Sequence, residues 1–550
     1  MASLFFTILI LPVWAAYNHN GDTDSVNFRT AYPYMVGTKL DSCTLCHKGG
    51  NYTDPSTSKT TTLGSCQYCH AITGYGSDPT QFINTLNPYG RDYLNNGRNQ
   101  AALKAIESLD SDGDGFSNIA EINSKPLPTY PGDPNDNPNK VVASYRIYNK
   151  SQLQAMPQHS QFLLMNTTKS GDYYATYSGV IMQDLLKTAG ITANATQITV
   201  YAADGFSQRH PLEDSSSNVG KTYAPYVNGT YPAATYYYDP QADKANGGWC
   251  DYSSPGNAGR KNGDPIAVNG GLRLILALQI DGKDLVPGYL DATNKLASGT
   301  EGPFRVVPPQ KIVGPPDQAS TATNQNVIWP YDSNADHNAG LSSKSVTVIK
   351  VEPLPAGTTD INYLEAGFNY VDQGKIVIYG ALQGPTLVSP ADGTTNVPRT
   401  GAVLTWTKTE DTVPSEPITY TVQLSKDKVT WTTSTTKVAS ADRLSGTFFA
   451  GSSKYFLFFG IIGMFGVGVP RRTRKFLGIF LLITVTGAVI SSCGGGGGGT
   501  STGGTSSTVS AAIPQSLDAN TTYYWRVTGD GPNSHLISGV SSFTTGIMWK

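Results

Sequence analysis

Charge is scarce in this chain. Asp, Glu, Lys and Arg make up 15% of its 550 residues, and the formal net charge is -2. That balance leaves no broad basic surface for nucleic acid. Histidine and cysteine are rare as well, at seven and six residues, so a recurring arrangement of the two carries weight. Basic residues are also missing ahead of the first apolar run: no Lys or Arg precedes Leu4 to Trp14. The run, with the small residue Ala15 after it, still reads as an export signal over residues 1–15. Glycine (58) and tyrosine (31) are plentiful, and with abundant Ser, Thr and Asn they imply extracytoplasmic, β-rich structure with many turns. The length suggests about three or four domains.

Four of the six cysteines fall in Cys43-Thr-Leu-Cys46-His47 and Cys66-Gln-Tyr-Cys69-His70. In a c-type haem attachment site two thiols add across the haem vinyl groups, and the imidazole that follows takes an axial position on the iron. The same four thiols also have the CxxC…CxxC spacing of a tetrahedral zinc site, or could form two disulfides. His47 and His70, each directly after a second cysteine, favour haem, because neither rival needs them. The cofactor-binding set is then Cys43, Cys46, His47, Cys66, Cys69 and His70, with His47 and His70 as iron ligands. Cys250 and Cys493 remain, far apart in the chain.

Asp110-Ser-Asp112-Gly-Asp114-Gly-Phe116-Ser-Asn118-Ile-Ala-Glu121 has the pattern of a calcium loop. Asp110, Asp112, Asp114, Asn118 and Glu121 supply side-chain oxygens, Phe116 supplies its carbonyl, and Gly115 makes the turn. The rival is a solvated acidic turn. Ser117 stands where a paired calcium-sensing hand usually has an aliphatic residue, which favours a structural ion over a switch. Asp133 and Asp136 downstream are candidate extra ligands.

Between these motifs lies Leu86-Asn-Pro-Tyr-Gly90-Arg-Asp-Tyr93, followed by a predicted helix from Gln100 to Leu109. The order CxxCH, Asn-Pro-Tyr-Gly, acidic loop, Pro-Gly-Asp resembles small bacterial c-type cytochrome modules with a thrombospondin- or EF-hand-like calcium loop. The resemblance implies electron transfer outside the cytoplasm. The sixth iron ligands are unmarked, with His19, Met35, His159, His210 and His337 as candidates.

From residue 141 the pattern changes to strands with short helices. Helical spacing in Ser178-Gly-Val-Ile-Met-Gln-Asp184-Leu-Leu-Lys-Thr-Ala-Gly190-Ile predicts an amphipathic helix. With Ile198 to Phe206, Leu274 to Leu285 and Gly302 to Pro308, the order resembles the molybdopterin-binding domain of the sulfite-oxidase type. That family binds molybdenum through a cysteine thiolate, but the corresponding strand here reads Phe162-Leu-Leu-Met165-Asn166. Cys250 lies elsewhere in sequence, so bound molybdopterin is not expected.

From Pro385 the chain resembles a fibronectin type III sandwich, with Val403-Leu-Thr-Trp406 and Tyr420-Thr-Val-Gln-Leu-Ser425 in one half and Tyr523-Tyr-Trp525-Arg-Val527 in the other. Alternating apolar residues support strands independently, with Trp406 and Trp525 in the core. The two halves are separated by an apolar run from Phe448 to Val469, a basic turn with Arg471, Arg472, Arg474 and Lys475, and a second apolar run from Phe476 to Ile490. The pattern predicts a membrane hairpin over 448–493 with its basic turn cytoplasmic. The rival is a lipoprotein-type signal ending at Cys493.

The expected architecture is multidomain. A mainly α cytochrome c module (16–140) precedes an α+β molybdopterin-binding-like domain (141–384). An all-β fibronectin III-like sandwich (385–550) follows, carrying the transmembrane helical hairpin. The expected function is electron transfer through two haems by an exported, membrane-attached protein whose partners are redox proteins or an extracellular electron acceptor. Two other classes are open: an oxidoreductase with a pterin or small-molecule site feeding the haems, and a surface adhesion or spacer protein with metal-stapled domains.

Overall fold

Asparagines start the helices of the N-terminal module. The Asn87 side chain accepts from the Gly90 amide and opens the helix Pro88–Asn95, while Asn99 does the same for Gln100–Ala105 through Ala102. Both satisfy amides that a helix start leaves orphaned. The computed structural model describes residues 23–53, 58, 60–63, 68–69, 72, 79–165, 172–202, 207–212, 234–241, 250–287, 301–309, 341–359, 370–371, 373–439 and 508–547. The module also contains the helices Thr23–Ala31, Pro79–Thr85 and Asn118–Ile122, and a hairpin of Gly50–Thr53 with Thr60–Leu63. Its core joins Phe28, Tyr32, Met35 and Leu45 to Tyr89, Tyr93, Leu103, Ile106, Ile122 and Tyr130. The predicted helix from Gln100 ends at Ala105, because Ile106 to Leu109 turn into the acidic loop.

The middle region is α+β. One sheet contains Gln158–Met165, Asp172–Ile181, Cys250–Asp251, Ile275–Ile280, Lys283–Asp284 and Arg305–Val307. Another runs through Tyr145–Asn149, Lys375–Gly380, Val346–Glu352, Gln197–Ala202 and Ser207–Pro211. The helix Met182–Ala189 buries Met182, Leu185, Leu186 and Ala189 in a core shared with Leu274, Leu276, Ile198, Ile349 and Ile378 from the two sheets. This helix is shorter than its sequence pattern predicts. Ser178 to Ile181 instead finish the strand that pairs with Ile275–Ile280. At Gly179 a Cβ would stand 2.0 Å from the Leu276 carbonyl oxygen, so only glycine allows that approach. Asp281 and Gly282, both at positive φ (48° and 74°), make the tight turn into Lys283–Asp284.

The C-terminal region is a two-sheet sandwich. Leu387–Ser389, Val403–Thr407 and Thr508–Ala512 form a three-stranded sheet. The opposing sheet holds Thr432–Ala439, Ile418–Ser425, Thr522–Gly531 and Ser541–Thr545, with Thr394–Val397 parallel at its edge. Alternation puts Trp406, Tyr420, Val422, Trp525, Val527 and Phe543 between the sheets. The Tyr523 hydroxyl accepts from the Asp518 amide at 3.0 Å, a corner brace typical of such sandwiches. The two halves that the sequence separates thus share one core, and the flanking strands Thr432–Ala439 and Thr508–Ala512 lie side by side.

The sandwich is also joined to the middle region through the backbone. The strand Ser534–Ile537 pairs antiparallel with Tyr145–Asn149, setting Ser534 opposite Arg146 and His535 opposite Tyr145. The opposing sheet therefore continues into the second middle sheet as one eleven-stranded sheet. Asp411 secures the junction by accepting from the Asn533 amide at 3.0 Å and the Ser534 hydroxyl at 2.8 Å. Among the described residues no helix is long and apolar enough to cross a membrane. The export signal and the membrane hairpin expected over 448–493 lie outside the described residues.

Candidate functional site

The first CxxCH motif is a helical turn. The Cys46 and His47 amides both donate to the Cys43 carbonyl, at 3.2 and 2.9 Å, and residues spaced three and four apart on such a turn share a side. Cys43, Cys46 and His47 are therefore presented together. The Asn-Pro-Tyr-Gly segment holds this turn from behind. The Asn87 side chain donates its N–H groups to the carbonyls of Thr44 (3.2 Å) and Leu45 (2.9 Å), while its backbone N–H donates to the Cys46 carbonyl at 2.9 Å. Gly90 packs so closely that a Cβ there would sit 2.2 Å from the Cys46 oxygen. Gly132, from the Pro-Gly-Asp segment, packs on Asn87, where a Cβ would meet the side chain at 2.6 Å. Three stretches dispersed in sequence thus meet at one turn.

His47 is half-buried, and its ring has a defined setting. Its Nδ1 lies 2.9 Å from Thr85 Oγ1, and that hydroxyl also lies 2.7 Å from the Phe82 carbonyl. A carbonyl can only accept, so the hydroxyl proton belongs to Phe82 and the hydroxyl oxygen accepts from Nδ1–H. The lone pair then resides on Nε2, the tautomer suited to metal ligation. Phe82 packs edge-on to the imidazole, with ring centroids 5.5 Å apart. An oriented imidazole on the same turn as two cysteines is the donor set that a c-type haem uses.

The second motif is described only at Cys69, which is buried; Cys66 and His70 lie outside the described residues. Tyr68, next to Cys69, packs over Gly50, with a ring carbon 2.8 Å from where a Cβ would be. Gly50 follows His47 by three residues, so Tyr68 lies close to the end of the first motif. Of the candidate sixth ligands, Met35 belongs to the N-terminal core. His159 and His210 stand on strands of the middle region, and His19 and His337 lie outside the described residues.

The acidic loop brings one carboxylate oxygen each from Asp110, Asp112 and Asp114 within 4.8 Å of one another. Asp110 shapes the loop by accepting from the Gly113, Asp114 and Gly115 amides. These bonds, the one from Gly115 foremost, hold its carboxyl below the usual range. Glu121 is fully buried. Burial first, then the charges of Asp112 and Asp114, push its carboxyl up to about 9; burial followed by Asp114 pushes Asp112 up to about 6. Both Asp112 oxygens, Asp114 Oδ2 and Glu121 Oε2 are buried with no hydrogen-bond partner among the described residues. The orphaned oxygens of Asp112 and Asp114 fall in the converging group and fit a hard divalent cation, which would supply the missing partners; Glu121 lies outside that group.

Asn118 and Asp136 act differently from the ligands the sequence suggests. Asn118 is buried with its side-chain N–H groups donated to the Ile106 carbonyl (2.7 Å) and Ser111 hydroxyl (2.9 Å), and its oxygen accepts from the Ser111 amide at 3.3 Å. It braces the loop from within. Phe116 donates its amide to Asp114 Oδ1 at 2.9 Å, consistent with the turn its carbonyl position requires. Asp136 pairs with Lys39 and Lys140 and accepts from the Tyr130 amide at 2.9 Å. Burial alone would raise its carboxyl, but the two lysines outweigh that and hold it low. It is therefore committed to an ion-pair cluster.

In the middle region, the strand where the resemblance expects a thiolate ends at buried Met165. Met165 pairs with Tyr173, and the short strand Cys250–Asp251 lies on the other side of that strand, with Cys250 opposite Asp172. The fold thus brings Cys250 into the same sheet, where it packs with Phe162, Leu164, Tyr174 and Tyr236. Sequence reading missed Thr85 altogether, because a threonine ending a short helix carries no motif. It noted Asn87 and Gly90 without a role, since their partner turn lies forty residues back in the chain. No protein-family model, curated protein or solved structure matches this chain.

Proposed function

We propose that this protein is an exported, membrane-attached c-type cytochrome that passes electrons through two covalently bound haems. The observation that carries the reading is the first CxxCH turn, with Cys43, Cys46 and His47 on one side and the imidazole held through Nδ1. Bound haem supplies one-electron exchange between ferric and ferrous iron. Cys43 and Cys46 would hold one haem and Cys66 and Cys69 the other, with His47 and His70 as the nitrogen donors. The nearness of Gly50 to Tyr68 supports short-range exchange between the two. Asp110, Asp112 and Asp114, with Glu121 and the Phe116 carbonyl beside them, would hold a structural calcium that offsets their charge. The middle domain, of molybdopterin-binding-like type, is a rigid carrier without a molybdenum site, and the fibronectin III-like sandwich is a spacer beside the membrane hairpin. Electrons leave to a redox partner protein or an extracellular acceptor.

The test is a visible spectrum of protein produced with a cytochrome c maturation system, before and after reduction. A Soret band that shifts on reduction, with sharpened α and β bands, is expected. Stoichiometric zinc and no Soret band would remove the reading in favour of a zinc-stapled module.

A further inference from the structure

We infer that Thr85 is the positioning residue of the first haem site, its hydroxyl fixing the His47 tautomer so that Nε2 presents its lone pair to iron. The inference deepens the cytochrome reading and rests on it for the iron.

Thr85 is fully buried, so no bulk water competes for its hydroxyl. That group has a single proton, which goes to Phe82 O at 2.7 Å, leaving its lone pairs for His47 Nδ1–H at 2.9 Å. The contact is fixed by backbone on both sides. His47 and Leu86 form an isolated antiparallel bridge, and the Lys48 amide donates to the Thr85 carbonyl at 2.9 Å. Ring rotation is limited by Phe82, whose plane lies at 75° to the imidazole. An exposed imidazole would exchange between tautomers; here the Thr85 hydroxyl oxygen is a proton acceptor for Nδ1 built into the fold. Hydrogen bonding at Nδ1–H increases electron donation by Nε2 and favours ferric over ferrous iron. Thr85 therefore lowers the reduction potential of the first haem.

A merely structural Thr85 would close the helix Pro79–Thr85 and affect stability alone. Thr85→Val keeps the shape and removes the hydroxyl; Thr85→Ser keeps the hydroxyl. Nitrogen-15 NMR of the haem-free full chain reads the His47 tautomer directly. Wild type and Thr85→Ser are expected to carry the proton on Nδ1, and Thr85→Val to shift it toward Nε2. In the matured protein, Thr85→Val should move the first haem's reduction equilibrium toward ferrous by about tenfold, ~59 mV for one electron, while Thr85→Ser stays near wild type. An Nε2–H tautomer in the wild type would overturn the inference without any variant. So would an unchanged potential in Thr85→Val, or a Thr85→Ser shift as large as that of Thr85→Val. Failure of haem to attach to wild type defeats the cytochrome reading instead, and the tautomer measurement on the haem-free chain still decides the role of Thr85.

Discussion

His47 receives its orientation from residues with no chemistry of their own. Gly90 is the sharpest case, because two effects oppose each other there. Gly90→Ala would gain about 1 kcal/mol of helix propensity, but the new methyl would stand 2.2 Å from a backbone oxygen of Cys46. Overpacking against backbone that cannot yield costs roughly 1–3 kcal/mol, so the clash prevails. The variant is expected to destabilise the N-terminal module and impair attachment at Cys43 and Cys46 while sparing the second site. The haem-to-protein ratio should fall from two toward one, and an unchanged ratio with unchanged melting would refute this role for Gly90. The candidate site residues were picked out from sequence because CxxCH and the acidic spacing are patterns written locally in the chain. What holds them was not. The Asn87 side chain meets carbonyls of Thr44 and Leu45, and such long-range backbone contacts leave no pattern in residue type.

At the scale of elements, the acidic loop joins two helices of the N-terminal module. Ser111 donates to Asp92 Oδ2 at 2.7 Å on the helix Pro88–Asn95, and Glu121 sits in the helix Asn118–Ile122. Without a cation, the folded loop holds protons more tightly than the unfolded chain does: Glu121 is raised from 4.5 to about 9 and Asp112 from 3.8 to about 6. The protonated forms stabilise the cation-free fold at low pH. That contribution is lost as pH rises from the unfolded values through the folded ones, across about 4 to 9. In chelator, calorimetry should therefore show the N-terminal transition falling between pH 5 and pH 8. Saturating calcium should remove the fall, because the ion neutralises the carboxylates, and Asp112→Ala should abolish the calcium response. A wild-type transition indifferent to calcium at pH 8 would reduce the loop to an acidic turn. Elsewhere, element type was legible where periodicity was clean, as in the strands around Trp406 and Trp525. It misled at Ser178 to Ile181, whose apolar spacing suits a helix, because the close approach of Gly179 to Leu276 is a tertiary requirement invisible in the pattern.

Across the whole molecule, the eleven-stranded sheet makes the sandwich an extension of the middle region. No sequence signal marks this, because Ser534–Ile537 is a short strand with no distinctive composition. The strands that flank the apolar runs, one ending at Ala439 and the other beginning at Thr508, are in contact within the sandwich. The apolar runs and the basic turn between them predict a membrane hairpin with its turn cytoplasmic. A reporter fused at Thr473 should be cytoplasmic and one at the C-terminus exported; labelling of Thr473→Cys by an external, impermeant reagent would contradict the hairpin. The central claim concerns the cysteine motifs, and intact mass after acid–acetone extraction tests it most directly. Protein matured with haem should retain the mass of two haems, and the paired change Cys43→Ser with Cys46→Ser should retain one. A mass equal to the bare polypeptide, with zinc bound before extraction, would contradict the account.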